Sequence, residues 1–380
     1  MLSRHTIALA VALALSTVGV ATAQTAATPI LVGYVFPQNT DLQPGQIDAS
    51  SLNRINYAFA NIKDGQMVEG FAEEGKNLAY LTALRKNNPK LTVLVSVGGW
   101  LWSTDFSDVS LTRASRARFI ASVIDYLTRH DLDGLDIDWE YPGMIGSGHR
   151  FRSQDGHNFT LLLKELRKQF NSETRKTNHK LILTIAAGAS DEYIRHTQLA
   201  KTQKYVDTIN LMAYDYYEPG SDALTGHHAP LFTNPADPKK ISGDASVRAF
   251  ENAGVPSSKI LLGVPFYGHV WQQVADVNHG LFQSGRPVPQ AYMPYSKISA
   301  DLADGGFQRY WDPTAMAPYL YSRDKQMFIS YEDSESLTAK CKYVLANKLG
   351  GIMFWDYAGD PSGNLLHTID KCLSAKGGSQ

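Results

Sequence analysis

The segment Asp133-Gly134-Leu135-Asp136-Ile137-Asp138-Trp139-Glu140 carries an acid at every second position from 136 onward. Strand side chains alternate, so Asp136, Asp138 and Glu140 share one face, about 6.6 Å apart, and Leu135, Ile137 and Trp139 share the other. In a half-solvated strand only that second face would be buried. Apolar runs of similar length recur along the chain with helix-like segments between them, which indicates a parallel sheet covered on both sides. Three acids turned into such a core are costly to bury, and a file of carboxyls is suited to proton transfer.

Outward from this strand, eight runs are read as strands: Ile30 to Phe36, Arg54 to Ala60, Leu91 to Val97, Gly134 to Asp138, Leu181 to Ala187, Asp207 to Ala213, Ile260 to Phe266 and Gly351 to Trp355. Between them Arg113 to Arg129, Asn158 to Asn171, Ala245 to Ala253 and Ser336 to Lys348 show helical apolar spacing, several behind Ser, Thr or Asp caps. Strands alternating with helices predict a closed (β/α)8 TIM barrel. The interval from about His269 to Met327 breaks the rhythm. It is rich in Gly, Pro, Tyr and short polar segments, and nearly sixty structureless residues inside a compact barrel would be unusual, so a small folded insertion between strands seven and eight is expected.

The string Asp-Gly-x-Asp-x-Asp-x-Glu resembles the catalytic signature of family-18 glycoside hydrolases, the chitinases. Ser96-Val97-Gly98-Gly99-Trp100 is similar to that family's strand-three motif, Met212-Ala213-Tyr214-Asp215 to its strand-six motif and Phe354-Trp355 to its strand-eight motif. With Gly263-Val264-Pro265-Phe266-Tyr267-Gly268 and Phe328-Ile329-Ser330-Tyr331-Glu332-Asp333, the similarity runs from about Ile30 to Cys372. It implies a barrel over residues 24–268 and 328–373, an α+β insertion over 269–327 walling one side of the cleft, and chitin or chitooligosaccharides as the substrate.

In such barrels the chemistry sits at the C-terminal ends of the strands, where these motifs fall. Glu140, furthest along its strand, is the candidate general acid, with its pKa raised by burial or by Asp138 and Asp136, an inner pair expected to share a proton. The resemblance implies a substrate-assisted route in which the N-acetyl carbonyl oxygen attacks C1, Asp138 stabilises the oxazolinium ion and Tyr214 donates to the acetamido oxygen. Trp355 would floor the central sugar site. Tyr34, Phe36, Phe59, Trp100, Tyr141, Met212, Asp215 and Tyr267 match other cleft positions, with core packing as the alternative for the apolar ones. Two positions depart from the pattern. His269 stands where many relatives with the insertion carry Arg, and Gly220 where some carry Trp.

Arg4 and His5, an apolar stretch from Ile7 to Val20 and then Ala21-Thr22-Ala23 have the layout of a cleavable secretory signal over residues 1–23. A secreted mature chain beginning at Gln24 is expected, with no membrane anchor. Cleavage leaves 35 basic against 37 acidic groups, a net −2, and nothing basic enough to bind nucleic acid. About 357 residues then remain, enough for one barrel of roughly 250 plus an insertion. Eight residues follow Cys372, so no separate carbohydrate-binding module is expected. The only cysteines, Cys341 and Cys372, lie on helices flanking the last strand. In an oxidising compartment a disulfide is expected, the alternative being two buried thiols.

His227, His228, His269 and His279 raise the question of a metal. Neighbouring side chains rarely aim at one ion and no HExxH or CxxC accompanies them, so neither metal nor cofactor is expected. Gly143, Gly146 and Gly148 lack dinucleotide spacing. Two further activities fit parts of the pattern. An endo-β-N-acetylglucosaminidase acting on glycoprotein glycans shares the acidic motif but usually not the insertion, and a chitin-binding lectin keeps the barrel but lacks the acid that Glu140 supplies.

Overall fold

The protein, described here by a computed structural model over residues 28–375, begins its regular structure at Ile30; the expected signal over residues 1–23 lies outside the described residues. Eight parallel strands form the barrel: β1 Ile30–Val35, β2 Arg54–Lys63, β3 Thr92–Gly98, β4 Gly134–Asp138, β5 Ile182–Gly188, β6 Thr208–Met212, β7 Ile260–Pro265 and β8 Gly351–Trp355. β1 closes the cylinder by pairing with β8 through Ile30 and Gly351 and with β2 through Val32 and Arg54. The expected (β/α)8 barrel is therefore present, and β4 and β8 have the bounds read from sequence.

Elsewhere the ends move for local reasons. β2 runs three residues past Ala60 because Asp64 and Gly65 both take positive φ (52° and 72°) and fold Gln66–Val68 back onto it. Paired positive φ is the geometry of an Asp-Gly hairpin turn. The helix read as Asn158 to Asn171 spans Asp155–Thr177 and ends at left-handed Asn178. Its last buried residue is Phe170, so the apolar period stops two turns before the backbone does. The helix Arg113–Arg129 opens on a Thr112–Ser115 capping box, as its sequence signal implies.

Both faces of β4 are buried. Leu135, Ile137 and Trp139 point outward; Trp139 stacks on Phe106 at 5.3 Å between ring centroids and meets Phe159 of Asp155–Thr177 edge-on. Stacking of this kind adds about 0.5–1.5 kcal/mol beyond area burial. The outward face thus fixes the strand, and the acids are held inward.

Between β7 and β8 the chain forms a five-stranded antiparallel sheet, in spatial order Arg286–Pro294, Tyr267–Gln272, Met327–Ser330, Ala317–Ser322 and Gln308–Asp312, with helix Tyr295–Ala303. It has its own small core around Val270, Ile298, Leu320 and Ile329. Its first strand begins two residues after β7 ends, at Tyr267. The chain that leaves this sheet is secured by charge: Glu332 pairs with buried Lys340 at 2.5 Å, and Asp333 caps the helix Ser334–Ala346.

Cys341 of that helix is bonded to Cys372 of Asn364–Ser374, closing a span of 31 residues around β8. A loop of that length restricts the unfolded chain by about 3–4 kcal/mol in the chain-entropy account. Cys372→Ser is therefore expected to lower the unfolding free energy by about 3–4 kcal/mol, read as an earlier urea midpoint; a midpoint equal to wild type would show that the bond contributes nothing.

Candidate active site

The register of the barrel explains the deepest acid. Asp136 lies opposite Ser96 of β3 and Thr184 of β5, so both hydroxyls reach its carboxylate. Ser96 donates to Oδ2 at 2.7 Å and Thr184 to Oδ1 at 2.5 Å. From across the barrel Tyr34 of β1 donates to Oδ2 at 2.8 Å, and Asn210 of β6 to Oδ1 at 3.1 Å. Burial raises the Asp136 pKa, but these donors and the Arg54 charge work against the rise. Four donors make Asp136 an acceptor.

Asp138, two residues further out, has no such support. Its Oδ1 is buried without a hydrogen-bond partner among the described residues. Its pKa is pushed well above the carboxylate range, first by burial, then by the charges of Glu140 and Asp136. Within the inner pair expected to share a proton, the donors around Asp136 solvate its ionised form, so the proton is held more favourably on Asp138.

Glu140 is 8 % exposed and stands at the mouth of the cleft. Burial, followed by the charges of Asp215 and Glu218, raises its pKa to about 7, against a hydrogen bond from Tyr141. Its backbone position is set by the loop after β3. The Glu140 N–H donates to Ser103 Oγ at 2.9 Å, and Ser103 Oγ donates to the carbonyl of Gly99 at 2.9 Å. Gly98 makes the approach possible: its φ is +106°, and a Cβ there would lie 2.3 Å from the Asp138 carbonyl oxygen.

Aromatic rings surround the acids. Trp355, half-buried at the end of β8, packs against Phe59 (5.5 Å, stacked), Phe36 (5.4 Å) and Tyr34 (5.7 Å). Met212 and Tyr214 lie against the same cluster. Burial, then the charges of Asp215, Asp138 and Glu140, keeps the Tyr214 hydroxyl protonated. Trp100, 49 % exposed, stands on the rim edge-on to Tyr141 at 6.4 Å. Its carbonyl accepts from His149 Nε2 at 2.6 Å, so His149 Nδ1 accepts from Thr104, also at 2.6 Å.

Asp215 is the meeting point of the far wall. Its Oδ1 accepts from Tyr267 Oη at 2.6 Å and from His269 Nε2 at 2.8 Å, with His228 Nδ1 at 3.5 Å. Burial would raise this carboxyl, but the neighbouring imidazoles of His228 and His269 hold it below the usual range. Asp215 also takes a left-handed backbone (φ 58°), a conformation that Asp tolerates better than most residues. The two adjacent histidines diverge: His227 turns away to Asp312 at 3.0 Å, and His228 turns to Asp215. At the other departure from the family pattern, Gly220, a Cβ would meet only Pro287 at 3.8 Å.

The structure therefore brings the thirteen site residues expected from the sequence around one cleft. Three more line it that no motif marks. Tyr292 of the insertion is 45 % exposed and stacks on Tyr267 at 4.4 Å. Asp356, with its pKa raised by burial to about 6, joins Tyr292, Phe36 and Trp355 around a cavity of about 400 Å³. His228 is the third. The Pro-and-Tyr texture around Tyr292, the Trp355-Asp356 step and the adjacent His227-His228 pair were the sequence signals for them.

Comparison with known proteins agrees with this architecture. Residues 30–360 match the family described as Glycosyl hydrolases family 18. The chain is 33 % identical to "Chitinase A1" of Niallia circulans over 94 % of its own length, and it spans 60 % of that protein. Among solved structures, a "glycoside hydrolase family 18 N-acetylglucosaminidase" from Paenibacillus barengoltzii is 39 % identical with a TM-score of 0.82, covering 90 % of this chain and 99 % of that one. A class V chitinase from Nicotiana tobaccum in complex with NAG4 is 28 % identical with a TM-score of 0.83, covering 91 % and 99 %. The acid file on β4, the glycine approach from β3 and the ring-lined cleft thus stand in a chain that belongs to family 18 of the glycosyl hydrolases.

Proposed function

We propose that this chain is a chitinase that hydrolyses β-1,4 linkages between N-acetylglucosamine units with retention of configuration. The observation that carries this reading is the gradient along β4. Asp136 is an acceptor saturated by four donors, Asp138 is protonated with a free oxygen, and Glu140 has a pKa of about 7. A carboxyl at that value is protonated often enough to act as an acid and gives the proton up easily.

In this reading Glu140 protonates the glycosidic oxygen as its bond to C1 breaks, and the acetamido carbonyl oxygen of the same sugar bonds to C1. Asp138, whose buried Oδ1 has no partner among the described residues, accepts the acetamido N–H and stabilises the oxazolinium cation, while Tyr214 donates to the acetamido oxygen. The Glu140 carboxylate then removes a proton from water, which attacks C1 and reopens the ring. Trp355 floors the central sugar, and Trp100 and Tyr292 offer exposed rings on either side. The chitinase names among the relatives support the substrate class. The N-acetylglucosaminidase likeness and the cavity beside Trp355 favour a second reading, release of single units from chain ends. Separating the products of chitotetraose distinguishes the two, and a high-mannose glycopeptide tests the alternative endo-β-N-acetylglucosaminidase activity. Export through the 1–23 leader belongs to the same proposal.

Glu140→Gln removes the proton and keeps the shape, so kcat on chitotetraose should fall by at least ~10³-fold with binding largely retained; near-normal turnover would refute the assignment. Because burial holds the Glu140 proton on until about pH 7, wild-type kcat/KM should fall above that pH as the acid ionises. A profile still rising through pH 8 would point to another acid.

Two displacements at C1 imply a β-anomeric product. Proton NMR during the first turnovers is expected to show it, and an initial α product excludes the acetamido route.

Tyr292→Ala removes an exposed ring from the glycan path without touching Asp136, Asp138 or Glu140. It should lower kcat/KM several-fold on chitotetraose and less on a chromogenic chitobioside, in proportion to the stacking surface lost. Equal losses on both substrates would make Tyr292 a structural residue.

A further inference from the structure

The Asp215 cluster has a chemistry that hydrolysis does not use. Three separate segments converge there: Asp215 just after β6, His228 from the loop beyond it, and His269 from the first strand of the insertion. One donor atom from each lies within 4.8 Å of the others. His228 is fully buried, yet neither of its ring nitrogens has a hydrogen-bond partner among the described residues. A buried polar atom left in that state is unfavourable and gains by acquiring a partner. Its Nδ1 is aimed at the oxygen that His269 Nε2 already contacts.

We propose that Asp215, His228 and His269 form a binding site for one divalent transition ion of the Zn²⁺ kind, and that filling it stops hydrolysis. Two imidazoles and one carboxylate oxygen, with water as fourth ligand, are a donor set that Zn²⁺ and its neighbours accept and Mg²⁺ or Ca²⁺ do not favour. Bond lengths of about 2.0–2.1 Å place tetrahedral donor atoms about 3.3 Å apart. The present separations from Asp215 Oδ1, 2.8 Å to His269 and 3.5 Å to His228, bracket that spacing. Entry is from the cleft, where the Asp215 side chain is 35 % exposed. Tyr267 Oη, already bonded to Oδ1, remains as an outer donor that orients the carboxylate.

The outer support is incomplete. His269 Nδ1 and His228 Nε2 have no acceptors among the described residues, and losing such partners weakens a site about 10–100-fold. The site is therefore weaker than a fully supported one, in keeping with a site that fills and empties with ion supply. Arg at position 269, as the family resemblance expects, would put a fixed cation where this chain has a ligand. The consequence for hydrolysis rests on the proposed function: an ion at Asp215 occupies the cleft wall next to Tyr214, where the acetamido group of the reacting sugar must sit.

The test uses the full mature chain after treatment with chelator. Calorimetric titration with Zn²⁺ should give one equivalent bound, and Co²⁺ should show the visible absorption of a four-coordinate ion. His228→Asn and His269→Arg should each abolish both signals while circular dichroism stays native; if one of them does not fold, the other variant and the wild-type Co²⁺ spectrum decide. At Zn²⁺ ten times its dissociation constant, chitotetraose hydrolysis should fall about 10-fold by mass action and recover with EDTA. No binding, binding that survives in both variants, or an octahedral Co²⁺ spectrum would overturn the site. Full turnover with one equivalent bound would overturn the inhibitory consequence. An untreated chain that fails to cleave chitotetraose would count against the chitinase reading alone, since calorimetry does not depend on turnover.

Discussion

The structure depends on a carboxylate at the centre of the barrel. Asp136 receives hydrogen bonds from four strands, β1, β3, β5 and β6, and each bond spans a large sequence separation. In a low-dielectric interior an unpaired charge would be strongly unfavourable, whereas a fully bonded one fixes its partners in place. The same four donors set the relative stagger of the strands that deliver them. Fold and site therefore share one constraint: a barrel that closes in another register would leave Asp136 unsatisfied.

That satisfaction shapes the electrostatics of the two acids above it. Because Asp136 is solvated by protein, it contributes negative potential, and Asp138, without donors among the described residues, is raised well above the usual carboxylate pKa. Glu140, nearest the solvent, is raised less. Alternation along one strand thus becomes a graded series, produced by a decreasing supply of hydrogen-bond donors from the barrel floor to the cleft. The loop after β3 supports the outermost acid, since Gly98 lets its backbone touch that of Asp138 and Ser103 holds the Glu140 amide.

The opposite wall follows a different rule. Asp215 adopts a left-handed backbone, and a phenol and an imidazole give it direct hydrogen bonds. Two of these neighbours, Tyr267 and His269, belong to the first strand of the inserted sheet. The insertion is consequently joined to the chemistry through side chains as well as through chain connectivity, and its Tyr292 extends the ring-lined surface outward.

Much of this was legible in the sequence. The period-2 acids of β4 and the apolar runs around them specify which residues face inward, because side-chain direction in a strand is a local property. The capped, periodic helix Arg113–Arg129 was readable for the same reason. The polar end of Asp155–Thr177 was not, since no apolar stripe marks a helix that has left the core. Local rules were also silent on which partners meet across the barrel. That Asp136 carries four donors and Asp138 none, that His227 and His228 point to different acids, and that Tyr292 reaches Tyr267 from about 25 residues away are decided by closure and register. These set distances between groups far apart in the chain, and pKa values and site geometry depend on such distances.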